Sequence, residues 1–431
     1  MKRILKTLVF ICVIILGAIQ VALGQNAIYS VPNTVSASSL IRNYSTGVDI
    51  VYNTPGGSSF FYIDRNTGNV TEASINNLQS VTDMEIVGNE LYFCGVFLGY
   101  PVIGRFDITP FFFGGGQAEI VNITTSNTVL KKLEVQYISS NDIHVYVLGL
   151  VTLTTPVGPI SDYTALFDCM FDGTNWDVES ISDLGYDYRM YDLTVTDRFL
   201  YVVGEKYGGY TEYSNTYSLP APGNNHLLPS GPNVITMSNS LTQYYYPVSE
   251  TLTETLQMDS IVTACYGLAD GYSGIVITQY STPNTIVVRY VIPNMTTSTR
   301  FVDLKYNPAD KKLYLIPDKA NSVITDLMYV FDLSTGNADV YQSIIPDLCS
   351  VDIQNAKTGA VVSGIINNGE VGVWVADKPN SDCSLAIGLP VYKTIRVEPT
   401  WTLEISAFTR PGYSLYVYPH IEKHYLEIKC Q

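Results

Sequence analysis

One short pattern recurs from one end of this chain to the other, and it limits the possible folds more than any other feature. An apolar residue, a tyrosine and a second apolar residue follow a turn at Leu91-Tyr92-Phe93, Val145-Tyr146-Val147, Leu200-Tyr201-Val202, Leu313-Tyr314-Leu315 and Leu415-Tyr416-Val417. The tyrosines are 54, 55, 113 and 102 residues apart, so the last two gaps are about twice the first two. Tyrosine-free runs at Ile275–Thr278 and Ala360–Ser363 fill those gaps, and an earlier copy sits at Val48–Tyr52. Eight copies at a mean spacing near 52 residues result. A fixed period of this length is the signature of a repeated supersecondary unit.

The unit is read from its neighbours. Most copies follow a stretch that alternates apolar and polar residues, as in Met84-Glu85-Ile86, Leu133-Glu134-Val135, Leu193-Thr194-Val195, Val302-Asp303-Leu304, Val351-Asp352-Ile353 and Leu403-Glu404-Ile405. Such alternation is the period-2 signal of a half-buried strand. A third strand ends in an aspartate and then a glycine turn at Asp64 to Gly68, Asp168 to Gly173 and Asp332 to Gly336. Aspartate bonds its own turn and glycine supplies positive φ. A fourth strand then departs, as at 69–75 and 337–344. Four short antiparallel strands repeated at this period predict an all-β chain folded as a single β-propeller. The count is about eight four-stranded blades, or seven if the first copy is an extra hairpin.

The first 24 residues stand outside the repeat. Lys2, Arg3 and Lys6 precede an apolar run from Leu8 to Ile19, and Ala22-Leu23-Gly24 offers a small-x-small cleavage site. This is the layout of a secretory signal peptide. The run is about 12 residues long where a membrane span needs about 20. The sequence therefore predicts a signal over 1–24, a propeller domain over 25–431, and a secreted product, extracellular or periplasmic, that does not span a membrane. Loss of the three basic residues takes the formal charge from −16 to −19. So acidic a chain repels phosphate backbones, which argues against nucleic-acid binding.

The pattern resembles β-propellers in general, and its style is similar to uncharacterised secreted bacterial propellers. The resemblance spans nearly the whole chain after residue 24 but carries no specific family with it. No Trp-Asp blade ending occurs, Gly114-Gly115-Gly116 lacks the kelch spacing, and Asp172-Gly173-Thr174-Asn175-Trp176 matches a sialidase Asp-box only in its second half.

Chemistry-bearing residues are sparse. The four histidines, His144, His226, His420 and His424, do not have the spacing of a zinc site. His420 and His424 flank a hairpin, and His144 reads as a structural residue within a strand. Gly271-Tyr272-Ser273-Gly274 reads as a turn, and no phosphate-binding glycine motif occurs. No catalytic residue, metal or cofactor is assigned. Of six cysteines after the signal, Cys349 and Cys383 bracket one blade and are the best pair for a bridge, while Cys94 and Cys265 read as small buried apolar residues. Asp183, Asp187 and Asp192 crowd a tyrosine-rich loop that reads as solvated, with calcium binding as the alternative. About 50 residues between Tyr207 and Asp259, rich in proline and including Tyr244-Tyr245-Tyr246, form an apparent insert. Tyr244, Tyr245 and Tyr246 are the candidate binding residues, since exposed tyrosines stack on sugars or anchor partners at low entropic cost. The leading expectation is a secreted binding protein for a glycan or an extracellular protein. The alternative is a carbohydrate-active hydrolase or lyase, with two carboxylates converging at the propeller funnel.

Overall fold

The computed structural model describes residues 29–31, 38–54, 59–123, 128–155, 158–183, 188–195, 199–206, 211–218, 244–252, 259–267, 273–280, 285–292, 301–317, 327–335, 337–343, 345–355, 357–366, 369–376, 392–397, 413–420 and 423–430. Short strand β1 (Tyr29–Val31) comes first. It is followed by a sheet of β2 (Ser38–Ser45), β3 (Val48–Thr54), β4 (Ser59–Asp64) and β5 (Asn69–Ser74). The next sheet holds β6 (Leu78–Val87), β7 (Glu90–Phe97), β8 (Tyr100–Asp107) and β9 (Glu119–Asn122), with a single π-turn at Pro110–Gly114 between the last two strands. β10 (Thr128–Ser139), β11 (Asp142–Thr155), β12 (Gly158–Phe171) and β13 (Trp176–Asp183) form a third. β14 (Tyr188–Val195), β15 (Phe199–Lys206) and β16 (Thr211–Ser218) form a three-stranded sheet. β17 (Tyr244–Leu252), β18 (Asp259–Gly267), β19 (Ser273–Tyr280) and β20 (Thr285–Ile292) come next, then β21 (Phe301–Asn307), β22 (Lys312–Pro317), β23 (Leu327–Asp332) and β24 (Asn337–Gln342). β25 (Asp347–Ile353), β26 (Ala360–Ile365) and β27 (Val371–Ala376) are completed by β1, whose Tyr29, Ser30 and Val31 pair with Val373, Gly372 and Val371. The last strands, β28 (Tyr392–Val397), β29 (Tyr413–His420) and β30 (Lys423–Cys430), extend the edge at β20.

Strands consecutive in sequence pair antiparallel within each blade, and the first strand of each meets the first strand of the next. β2 touches β6, β6 touches β10, β10 touches β14, β14 touches β17, β17 touches β21, β21 touches β25, and β25 returns to β2. The arrangement is a β-propeller, and the five four-stranded sheets are blades of it. The core lies between the faces of neighbouring blades. Phe60 and Ile50 of one blade pack on Phe93, Phe106 and Met84 of the next, and Tyr92 and Cys94 there pack on Val145, Val147 and Phe167 beyond. Ile41 and Val51 meet Val361 and Val373 where the chain closes.

The recurring tyrosine sits on the second strand of its blade and is fully buried. Tyr52, Tyr92, Tyr146, Tyr201 and Tyr314 are 0–1% exposed. Its ring fills the space between blades and its hydroxyl reaches a polar partner at the strand end. Tyr92 donates to Glu90 (2.7 Å), Tyr146 to Gln136 (2.8 Å) and Tyr314 to Asp310 (2.6 Å). A buried phenol needs such a partner.

A second periodic device escapes a reading of strand propensity. The inner strands carry a bulge at Val81/Asp83, Leu130/Lys132, Met190/Asp192 and Leu348/Ser350, and the residue opening each bulge lies opposite Gly95, Gly149, Gly204 and Gly364 respectively. A Cβ on Gly95 would stand 2.0 Å from the Ser80 carbonyl oxygen, and one on Gly364 would stand 2.1 Å from that of Asp347. Glycine is required because the bulged backbone leans over its partner strand.

Several expectations are corrected. Asp168 does not close its turn. It is buried and faces His144, and Asp172 makes the turn by accepting from the Thr174 and Asn175 N–H groups. Asp64 and Asp332 do cap their turns as expected. The acidic loop is not a unit, because Asp183 ends β13 while Asp192 lies buried within β14 (Asp187 lies outside the described residues). Cys349 is a free thiol donating to the Asp347 carbonyl within its own strand, and Cys383, its expected partner, lies outside the described residues. Cys94 and Cys169 are buried free thiols.

Candidate functional site

The first strands line the propeller axis, and their side chains alternate between the blade core and the axis. At the axis the sequence places charge. Just after the bulge come Asp83, Lys132, Asp192 and Asp303, with Ser350 at the matching place in β25. Two residues later, on the same face of each strand, come Glu85, Glu134, Thr194, Lys305 and Asp352. Arg42 of β2 joins them.

These carboxylates tie neighbouring blades together. Asp83 accepts from its own neighbour Met84 N–H (3.0 Å) and, across the gap, from Leu133 N–H (3.2 Å). Asp303 accepts from Leu304 N–H (3.1 Å), then from Ser350 Oγ (2.8 Å) and Val351 N–H (3.0 Å) of the following blade. Asp352 accepts from Ile353 N–H (2.9 Å) and, at the closure, from Asn43 N–H (2.7 Å). Glu85 accepts from Val135 N–H (2.7 Å). Arg42 completes the set, pairing with Asp83 at 2.9 Å while donating to the Ile41 carbonyl at 2.8 Å. The inner strands of different blades cannot complete a β-ladder with one another, so carboxylates supply the acceptors their N–H groups need.

At one end of the axis the ring opens into a cavity of about 390 Å³. Arg42, Glu85, Lys305 and Asp352 line it, with Asn43, Tyr44 and Asn355 at the turns. Electrostatics differ sharply between its carboxylates. Burial pushes the Glu85 carboxyl up to about 7, against the pull of Lys305, the Val135 N–H and Arg42. Burial also raises Asp352, opposed by Arg42 and Lys305. For Asp303, burial is outweighed by Lys132, Arg42 and Lys305, and its carboxyl lies below the usual range. Burial disfavours the charge on Arg42 and Lys132, yet the surrounding carboxylates raise both above their ordinary values. The cavity thus holds fixed charge of both signs and one carboxyl, Glu85, poised to exchange a proton near neutrality.

Beside the cavity runs a chain of aromatic rings. Tyr44 packs edge-on to Tyr62 (6.4 Å between centroids), and Tyr62 packs on Phe113 (5.0 Å) and Phe112 (5.6 Å). Phe113, on the π-turn, is 59% exposed.

Tyr244, Tyr245 and Tyr246 open β17, the first strand of its sheet, with Tyr244 opposite Gly267 and Tyr245 opposite Tyr266. Their side chains lie outside the described residues. His420 and His424 sit at the β29–β30 hairpin, His420 opposite Lys423 and His424 opposite Pro419. His144 is 1% exposed, its Nδ1 2.9 Å from Asp168 and its Nε2 3.3 Å from Asp142, which makes it a buried core residue. Among the described residues no cluster of three or more His, Cys, Asp or Glu has the arrangement of a metal site, and no helix is long and apolar enough to cross a membrane. Glu85, Asp303 and Asp352 were visible as the polar members of alternating strands. Arg42, Asp83, Lys132 and Lys305 were not. The signal that would have found them is a charged residue in the same place in successive inner strands.

No family model matches the chain. No curated protein matches it either. Among solved structures, YCF48 bound to D1 peptide is similar at a TM-score of 0.50 and 11% identity, over 83% of this chain and 97% of that one. A chain of the mitotic checkpoint complex gives a TM-score of 0.49 and 10% identity, over 82% and 93%. A puromycin-hydrolyzing peptidase of Mycobacterium tuberculosis gives 0.49 and 9%, over 87% and 61%. At these identities the likeness is one of fold.

Proposed function

We propose that this chain is an exported β-propeller that binds a protein partner, taking an extended segment of it at the axial cavity. The observation that carries the reading is the cavity itself, about 390 Å³ in size and lined by Arg42, Glu85, Lys305 and Asp352. Hydrophilic walls suit a polar chain rather than a lipid or an apolar cofactor. The structure of YCF48, similar in fold, is of that protein bound to a peptide. Export rests on the signal layout of residues 1–24. A count of seven blades is supported by the succession of first strands from β2 round to β25 and back. On that count Leu415-Tyr416-Val417 belongs to the appended strands and is the surplus copy.

The test uses the chain from Gln25, free of the signal, in a thermal-shift screen against a pool of random peptides and a panel of glycans. Stabilisation by peptides supports the reading through ligand linkage. Stabilisation by glycans alone overturns it, and would direct mutation to Tyr244–Tyr246.

A second reading has one specific observation behind it. Glu85, with its carboxyl raised to about 7, shares the cavity with the carboxylate of Asp352. Two carboxyl groups sharing one cavity are the constellation that glycoside hydrolysis uses. Release of reducing ends from a polysaccharide panel, lost in Glu85→Gln, would replace the binding reading with a carbohydrate-active enzyme.

A further inference from the structure

We infer that the cavity and the aromatic rings beside it form one recognition surface for an extended peptide, with a lysine or arginine side chain in the cavity and an apolar side chain on Phe113. The inference rests on the peptide-binding reading and specifies its partner. The two halves are continuous, because Tyr44 lines the cavity, packs on Tyr62, and Tyr62 packs on Phe113. They also lie on one face of the propeller. Tyr44 ends β2, Gly88 lies in the β6–β7 turn, Asn355 follows β25, and the π-turn follows β8, which runs towards the same face as β6.

Charge decides the kind of side chain. Around the axis Asp83, Glu85, Glu134, Asp192, Asp303 and Asp352 face Arg42, Lys132 and Lys305, an excess of three carboxylates when all are ionised. Asp303, Asp352 and Glu85 each accept a backbone N–H of the next blade, and Glu85, raised to about 7, is the one placed to change its protonation near neutrality. Glu85 is faced by Arg42 of β2, Asp83 of its own strand, Lys132 and Glu134 of β10, Lys305 of β21 and Asp352 of β25. A cation entering there adds to the pull of Arg42 and Lys305 towards the ionised form of Glu85, and it meets a ring in which carboxylates outnumber cations. The chain's formal charge of −16 draws a basic partner at long range. On the other side of Tyr44, the exposed ring of Phe113 projects beyond its buried neighbours Phe111 and Phe112, and through Tyr62 it offers an apolar contact within about three extended residues of Tyr44.

The experiment is selection of a random dodecapeptide library on the chain from Gln25, followed by titration of one enriched peptide at pH 6 and pH 8. The expected result is enrichment of a Lys or Arg placed near an aromatic or aliphatic residue. Binding should be about tenfold tighter at pH 8, where Glu85 is ionised. Glu85→Gln should weaken it about tenfold at pH 8 and remove the pH dependence, since a hydrogen bond to a charged group is lost. Phe113→Ala, at an exposed position that leaves the core intact, should weaken it several-fold without touching the pH dependence. Enriched peptides lacking a basic residue, or binding indifferent to Glu85→Gln, would overturn this inference and leave the peptide-binding reading standing. No enrichment at all would overturn both.

Discussion

The carboxylate of Asp303 stitches one blade to the next, and its removal gives the sharpest measure of that stitching. It is 8% exposed and accepts from Ser350 Oγ at 2.8 Å, Val351 N–H at 3.0 Å and Leu304 N–H at 3.1 Å. Asp303→Ala leaves the Val351 N–H buried with no side-chain acceptor, which costs about 1–3 kcal/mol. It also takes a counter-charge from Lys132, Arg42 and Lys305, and breaking a buried ionic set from one side costs about 3–5 kcal/mol. The two effects overlap, so a loss of about 4 kcal/mol is expected. Asp303→Asn keeps one acceptor oxygen and should lose about half as much, which provides a folded variant if the alanine form is too weak. Asp339→Asn, at an exposed site on β24, should stay within about 0.5 kcal/mol. The assay is urea unfolding of the chain from Gln25, with the shift of midpoint read at unchanged slope. Because the folded carboxyl lies below the ordinary aspartate value of about 3.9, its stabilisation is present above that pH and is lost as pH falls through the folded value. The gap between wild type and Asp303→Ala should therefore be level from pH 5 to pH 8 and narrow towards pH 3. A loss under about 1 kcal/mol at pH 7, against the range for a buried pair, or a gap that widens on acidification, refutes the stitching.

Three further outcomes are expected. Glu85 is raised to about 7 when folded, against about 4.3 unfolded; the folded state holds its proton over the window between these values, so stability falls as pH rises through it. Glu85→Gln should remove this loss, gaining on the order of 2–3 kcal/mol at pH 8 and nothing near pH 4; an equal effect at both pH values would show that the carboxyl is not raised. Gly95→Ala drives a Cβ to 2.0 Å from the Ser80 carbonyl oxygen, which only backbone movement can relieve, so a cost of about 3 kcal/mol or more is expected; Gly88→Ala, where a Cβ meets nothing but φ is +63°, should cost only about 1 kcal/mol. His144→Ala removes the ring-nitrogen partner of the buried Asp168 (2.9 Å) and leaves a void beside it, and should lower stability by about 2–4 kcal/mol in the same unfolding assay; a loss near zero would mean that the histidine is not a packed partner of Asp168.

Much of the architecture is legible because it is written locally. A tyrosine flanked by apolar residues, an alternating strand before it and an Asp-to-Gly turn after it each span a few residues, and repetition makes them visible. Asp64 and Asp332 keep the roles their sequence context predicts. Asp168 does not, because a buried histidine competes for it across the strand pair, and the Asp172 N-terminal to Gly173 is closer to the bend. The tyrosine cluster at 244–246 lies within the long proline-rich stretch, and its backbone opens β17, the first strand of its sheet.

The candidate site is different in kind. Its members lie at 42, 85, 305 and 352, and Arg42 joins Asp352 only because β25 closes against β2, some 310 residues away in sequence. Taken one strand at a time, a lysine or a glutamate between apolar residues reads as a solvated face, and nothing in the strand says that the face turns inward. What the sequence determined by itself is therefore the strand, the turn, the repeat and the buried tyrosine, since each depends on backbone sterics and burial within a few residues. Which polar faces converge is settled at the level of the whole fold, because radial closure brings the inner strands together on one axis. There, side chains that would each be solvated alone become one another's counter-charges, and burial sets Glu85 apart from the rest.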